Sequence, residues 1–179
     1  MLHDAALDYL ARYAATEAGL RRVLELRIER WARHAAADGA VDTEAQAAAA
    51  RSAARDVVAR LVAAGVVNDA TYAQGRARSL LRSGRSHSAA AAHLRAKGVD
   101  PAAVRAALPK DAEAEFAAAL VLARKRRIGP FRAGPAPDAA GMRRELGMLA
   151  RAGFSQDVAR QALATPPDQA EALVNRLRR

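Results

Sequence analysis

Alanine dominates this chain: fifty of its 179 residues are Ala, and only seven are aromatic (Tyr9, Tyr13, Trp31, Tyr72, Phe116, Phe131 and Phe154). Alanine is the strongest helix former, but it removes little area from water. Helices are therefore cheap to make here and a thick globular core is hard to fill. Small helical modules, each burying a narrow stripe on its neighbour, suit this composition better.

Helical spacing and caps recur along the whole length. A short helix is predicted over Asp4–Tyr13, with Leu7, Leu10 and Ala11 on one face. Thr16 caps the next, which runs to Ala37 and carries the stripe Leu20, Val23, Leu24, Ile28 and Trp31. Residues 38–42 break it. Thr43 starts a helix to Ala64 that buries Ala54, Val57, Val58, Leu61 and Val62, and Gly65 ends it. Asn68 caps a helix to Arg82, and Ser86 or Ser88 caps one through Lys97. Asp100-Pro101 starts a short helix ending near Leu108. Helices follow over 112–127 and 142–152, Ser155 caps one through Leu163, and a last one runs from the Pro166-Pro167-Asp168 start to Arg179. Residues 128–141 hold three Pro and three Gly and cannot be regular helix. No segment alternates as a strand would, so the fold expected is all-α.

The chain also resembles itself. The run from His93 to Asp100, followed by Val104 and Leu108, recurs 55 residues later as Leu149–Ser155 leading to Leu163. In both, a helix ends at Gly, one hydrophobe follows, and a new helix ends in Leu. A fainter copy pairs Leu10, Arg12, Thr16 and Leu24 with Leu80, Arg82, Ser86 and Leu94, 70 positions on. Such periods signal stacked helical units.

The net charge is +10 and uneven: residues 1–64 are neutral, while 65–108 and 109–179 each carry +5. A basic surface attracts polyanions. Two constellations concentrate it. The first is Arg76, Arg78, Arg82 and Arg85, with Arg95 and Lys97 beyond. Arg78, Arg82 and Arg85 share one face if the helix reaches that far, and could track a phosphate backbone. A solvated helix face is the alternative. The second is Arg124-Lys125-Arg126-Arg127, leading into the irregular loop with Phe131 and Arg132. Cations at a helix C-terminus also answer the macrodipole, which is the structural alternative there.

Catalytic templates are missing. No HExxH, GxSxG, Walker or GxGxxG pattern occurs, the four His residues have no metal-ligand spacing, and there is no Cys. The acids stand mostly at helix starts, where capping explains them. The reading is of a protein that is not an enzyme and needs no cofactor or metal. The first residues lack the basic and apolar parts of a signal peptide, and the longest apolar run, Phe116 to Ala123, is too short to span a bilayer. A cytoplasmic location, no membrane partner and a monomer are expected.

The segment from Val58 through Gly65-Val66-Val67-Asn68-Asp69-Ala70-Thr71-Tyr72-Ala73 resembles the signature of the RecX family. Arg82-Ser83-Gly84-Arg85-Ser86 and Leu94-Arg95-Ala96-Lys97-Gly98-Val99 continue the likeness. Arg124–Arg132 and Arg151–Ser155 look like the family's third repeat, and Leu7–Leu24 like its first. Asn68 departs from the pattern, replacing the first of two acids, and residues 35–54 have no counterpart. The resemblance implies an elongated, curved array of tandem three-helix repeats, here a partial one over 1–40 and two more over 41–108 and 109–179. It implies binding to the RecA recombinase filament, with reduced ATP hydrolysis, strand exchange and coprotease action. Arg151 joins the residues above as a candidate contact. Autonomous binding of single- or double-stranded DNA is the competing reading.

Overall fold

A computed structural model describes residues 1–178, with side chains through Arg176, and among them every regular element is helical. The chain forms two compact units. One comprises Met1–Tyr72 with Lys97–Asp100, and the other Ala73–Ala96 with the chain from Pro101 onward.

The first unit holds α1 (Leu2–Leu10), α2 (Glu17–Ala37), α3 (Thr43–Ala63) and the first turn of α4 (Asp69–Arg82). Leu20, Leu24 and Ile28 recur at helical spacing on α2 and are buried against Ala54, Val57, Val58 and Leu61 of α3. Each such Leu, Ile or Val contributes about 1.5–3 kcal/mol by leaving water. The expected α2 stripe is right in its middle and wrong at its end. Trp31 is 43% exposed, because the groove it borders is floored by Ala50, Ala53 and Val57, too short to cover an indole. On α1 the buried residues are Ala5 and Ala6, and Leu7 is 41% exposed. An alanine face lets α1 approach closely, and that outweighs the larger residue. Val62 likewise lies at the surface. Thr43 is the first helical residue and not the cap: Asp42 precedes it at φ +60°, and the Thr43 hydroxyl donates to the Ala40 carbonyl at 2.9 Å.

The second unit holds the rest of α4, then α5 (His87–Ala96), α6 (Pro101–Ala107), α7 (Ala112–Arg126), a 3-10 turn (Gly129–Phe131), α8 (Ala139–Arg151), α9 (Gln156–Ala164) and α10 (Pro167–Arg178). The expected end of α10 at Arg179 lies outside the described residues. Its main core gathers Leu120 and Val121 of α7, Leu149 of α8, Phe154, Leu163 of α9 and Val174 of α10 around buried alanines. The α8 helix starts three residues earlier than its sequence suggests, because Asp138 caps it, accepting from the Gly141 N–H at 2.7 Å. Asp111 caps α7 in the same way, accepting from Ala114 N–H at 3.0 Å. Asp111→Ala is expected to destabilise the protein by about 1 kcal/mol. Urea unfolding measures it, and an unchanged midpoint would show that this cap contributes nothing.

The internal likeness has a physical counterpart, one joint built twice. In the first unit the Thr16 hydroxyl accepts from Gly19 N–H at 2.9 Å, capping α2, and donates to the Lys97 carbonyl at 2.6 Å. In the second unit the Ser86 hydroxyl accepts from Ala89 N–H at 3.2 Å, capping α5, and donates to the Ala152 carbonyl at 2.7 Å. Both hydroxyls are fully enclosed, 1% and 0% exposed. The glycine after each carbonyl, Gly98 at φ +83° and Gly153 at φ +90°, lies hard against Ala18 and Ser88 respectively. The following hydrophobes, Val99 and Phe154, are both buried. Positions 16, 18 and 24 thus match 86, 88 and 94, while 97–99 match 152–154.

Candidate functional site

Three segments of the second unit converge on one cleft. The first is the turn after α4. Gly84, at φ +81°, ends the helix and lies so close to α7 that a Cβ would meet the Leu122 amide nitrogen at 2.9 Å. The helix therefore stops at Arg82, and Arg85 does not continue a stripe with Arg78 and Arg82 as the spacing suggested. It turns into the cleft instead. The second segment is the last turn of α7, where Lys125 donates to the Ser83 carbonyl at 2.7 Å and ties the two together. The third is the end of α8, which contributes Met148, Leu149 and Arg151.

The resulting cleft has a volume of about 690 Å³. Among the described residues its cations are Arg85, Lys125, Arg126 and Arg151, its larger apolar side chains are Leu122, Ile128, Met148 and Leu149, and no carboxylate lines it. The two basic constellations read from the sequence thus meet in part, since Arg85 comes from the first and Lys125 and Arg126 from the second. Arg151 joins from a third place in the chain.

The other candidate residues lie elsewhere. Arg76, Arg78 and Arg82 are exposed on α4, and Arg76 Nε donates to His93 Nε2 at 3.1 Å. Arg95 on α5 is exposed, as is Lys97 in the first unit, whose carbonyl belongs to the joint. Arg124 is half-buried and faces Glu171 at 3.3 Å. Arg127 is not helical: it closes α7 at φ +55° and is exposed. Arg132 has a partner inside the fold. Its Nε and Nη2 reach Glu145 Oε1 at 3.1 and 2.6 Å, while Glu145 Oε2 also accepts from the Gly129 N–H at 3.2 Å. The Glu145 side chain is 10% exposed, so this pair pins the irregular loop to α8.

Sequence reasoning missed Arg143 and Arg144. They line an adjoining cleft of about 780 Å³ that shares Ile128, Met148 and Arg151 with the first. The signal was present, since Arg144, Met148 and Arg151 stand at i, i+4 and i+7 on α8. Glu145 also borders this second cleft, but Arg132 neutralises it.

Among the described residues no group of three His, Cys, Asp or Glu could hold a metal. His87 faces Glu115 at 3.5 Å, but the carboxylate accepts the His87 backbone N–H at 2.7 Å, a helix-capping task. No described helix is long and apolar enough to cross a membrane.

Residues 68–108, which contain α4, α5 and α6, match the family description "RecX, second three-helix domain". The chain is 34% identical over 109 residues to the regulatory protein RecX of Agrobacterium fabrum (61% of this chain, 58% of the relative) and 39% identical over 107 residues to that of Mycobacterium avium (58% and 60%). No solved structure matches it. The regulatory protein RecX of Myxococcus xanthus is 42% identical over 170 residues, 93% of this chain and 86% of the relative, and on that likeness the chain belongs to the RecX family of regulatory proteins.

Proposed function

We propose that this protein binds the RecA nucleoprotein filament and lowers its ATP hydrolysis, strand exchange and coprotease action. The carrying observation is the likeness to regulatory protein RecX over 93% of the chain. The basic side chains supply the attraction. Arg76, Arg78, Arg82, Arg95, Lys97 and Arg127 stand at the surface, and the cleft cations add a concave site for a polyanion. On the same reading the chain is a cytoplasmic monomer of three repeats, 1–40, 41–108 and 109–179. Two copies of one hydroxyl–carbonyl joint support a repeat origin. The protein has no ATPase of its own.

The test is a coupled ATPase measurement at fixed RecA and single-stranded DNA, with this protein titrated in. Turnover is expected to fall at less than one molecule per RecA protomer. A chain with contacts spread over several helices can engage neighbouring protomers, and linked contacts gain from effective concentration. Inhibition should weaken as salt rises, because cations provide much of the binding. The protein alone should turn over no ATP. If inhibition vanishes once DNA is in excess, the protein merely competes for strands, and the reading as an autonomous DNA-binding protein wins. Unchanged turnover in a mixture where the two proteins bind would overturn the proposal.

A further inference from the structure

We infer that the groove of the first unit is a binding site for a small apolar carboxylate, the chemistry of a medium-chain fatty acid. The inference does not rest on RecA and concerns residues that the reading above leaves unused.

The groove has a volume of about 580 Å³, and every residue that lines it belongs to the first unit. Cavities that hold small molecules span roughly 300–1,000 Å³ and are mostly apolar, with a few polar groups that fix orientation. This groove follows that pattern. Its floor is Ile28 of α2 and Val57 of α3, 3% and 5% exposed, with Ala50 and Ala53 beside them. Trp31 forms one wall. The alanines opposite leave its indole 43% exposed, so an apolar occupant would remove aromatic surface from water that the fold itself leaves wet.

The charges at the edge specify the occupant further. Arg27 and His3 are the ionisable side chains that line the groove, and no carboxylate does. Arg27 stands four residues before Trp31, so the two share a face of α2. The nearest acids on that helix, Glu25 and Glu29, are two residues away on either side, which turns each about 160° from Arg27 around the axis. They act on Arg51 of α3 instead, whose first partner is Glu44 at 2.9 Å. Among the described residues no carboxylate forms an ion pair with Arg27. An apolar floor with an unpaired guanidinium at its edge complements a hydrocarbon that ends in one carboxylate.

The α1 helix decides between a small acid and the helix of a partner protein. It packs on α2 and α3 through Ala5 and Ala6, and its first residues, Leu2 and His3, close one end of the groove. The open stretch of α3, from Ala50 to Val57, is about 10 Å long. A helix laid along α2 and α3 finds that end blocked, whereas a short chain fits within it.

The experiment uses the full chain without RecA. Trp31 is its single Trp, so tryptophan emission reports this groove alone. Sodium hexanoate, octanoate and decanoate are titrated in below the concentrations at which they form micelles, with 1-octanol as the uncharged counterpart. Emission should shift to the blue and saturate. Each added CH2 should tighten binding by up to about fourfold. Octanoate should bind about two- to fivefold tighter than 1-octanol, the range of an ion pair in contact with water. Arg27→Gln should erase that preference without changing the affinity for 1-octanol, and Arg33→Gln, exposed on α2 outside the groove, should keep it. Ala53→Leu, at an exposed position of α3, fills the floor and should weaken decanoate binding at least about tenfold with unchanged circular dichroism. A shift that never saturates, decanoate affinity unaffected by Ala53→Leu, or equal binding of octanoate and 1-octanol to the parent would each overturn the inference. So would displacement of decanoate by a synthetic Leu- and Glu-bearing helical peptide at a lower concentration than by octanoate, because the groove would then suit a partner helix. The RecA ATPase assay tests the filament reading separately, and neither result decides the other.

Discussion

Gly153→Val is expected to lower the thermal midpoint of the protein by about 10 °C, which for a chain of this size corresponds to about 4 kcal/mol. Two costs combine. At φ +90° a β-branched residue is strained by about 1–3 kcal/mol. Its Cβ would also overlap the Ser88 hydroxyl and stand 2.6 Å from Ser86 Oγ, which adds about 1–3 kcal/mol of overpacking. Relief requires moving the Ser86 hydroxyl off the Ala152 carbonyl, which breaks the joint. Gly98→Val should act the same way in the first unit, because a Cβ there overlaps that of Ala18 while Thr16 holds the Lys97 carbonyl. Removing only the hydrogen bonds is milder. Ser86→Ala should cost about 1–3 kcal/mol, since the Ala152 carbonyl loses its donor in an enclosed site. Differential scanning calorimetry on the three variants checks this. A shift under about 3 °C for both valine variants would show that the joints are not tight.

The second large effect concerns Glu145. This carboxylate accepts from Arg132 and from the Gly129 N–H, and its side chain is 10% exposed. Glu145→Leu leaves the Arg132 guanidinium partly buried beside an apolar group and orphans the Gly129 donor. The expected loss is about 3 kcal/mol, near the lower end for breaking a buried pair, because Arg132 keeps some contact with water. Arg132→Met alone should also destabilise. The double variant Glu145→Leu, Arg132→Met should regain most of the stability, since an apolar pair of similar volume often replaces a buried ion pair without loss. Urea unfolding of the four proteins closes the cycle, with an expected coupling of about 2 kcal/mol. Additive losses would mean that the two residues act independently.

Local chemistry was largely legible from the residues themselves. Thr16, Asn68, Ser86 and Ser155 cap the helices that their positions announced, because a cap depends only on a side-chain oxygen and the N–H groups two or three residues on. Gly65, Gly98 and Gly153 end helices at positive φ, as glycine readily does. The 55- and 70-residue likenesses were visible as well, since capping and termination repeat with the units. Charge placement along the chain was plain, down to the neutral first third.

Only tertiary structure decided what those residues face. Trp31 and Leu7 sit at correct helical spacing yet stay exposed, because burial depends on what lies opposite, and opposite Trp31 lie alanines. Thr16 and Ser86 looked like caps and no more, but each also joins a segment 81 or 66 residues away, a pairing no local pattern encodes. Arg132 stood among the candidate contacts in the irregular loop and is held by Glu145, thirteen residues on. The cleft shows the division most clearly. Its cations come from residues 85, 125, 126 and 151, and they meet because Gly84 lets the turn after α4 lie against α7 while Leu149 carries α8 into the same core. Charge is a property of the sequence, but a field at one place is made by chain segments brought together, and here that depended on glycine and alanine letting backbones come close.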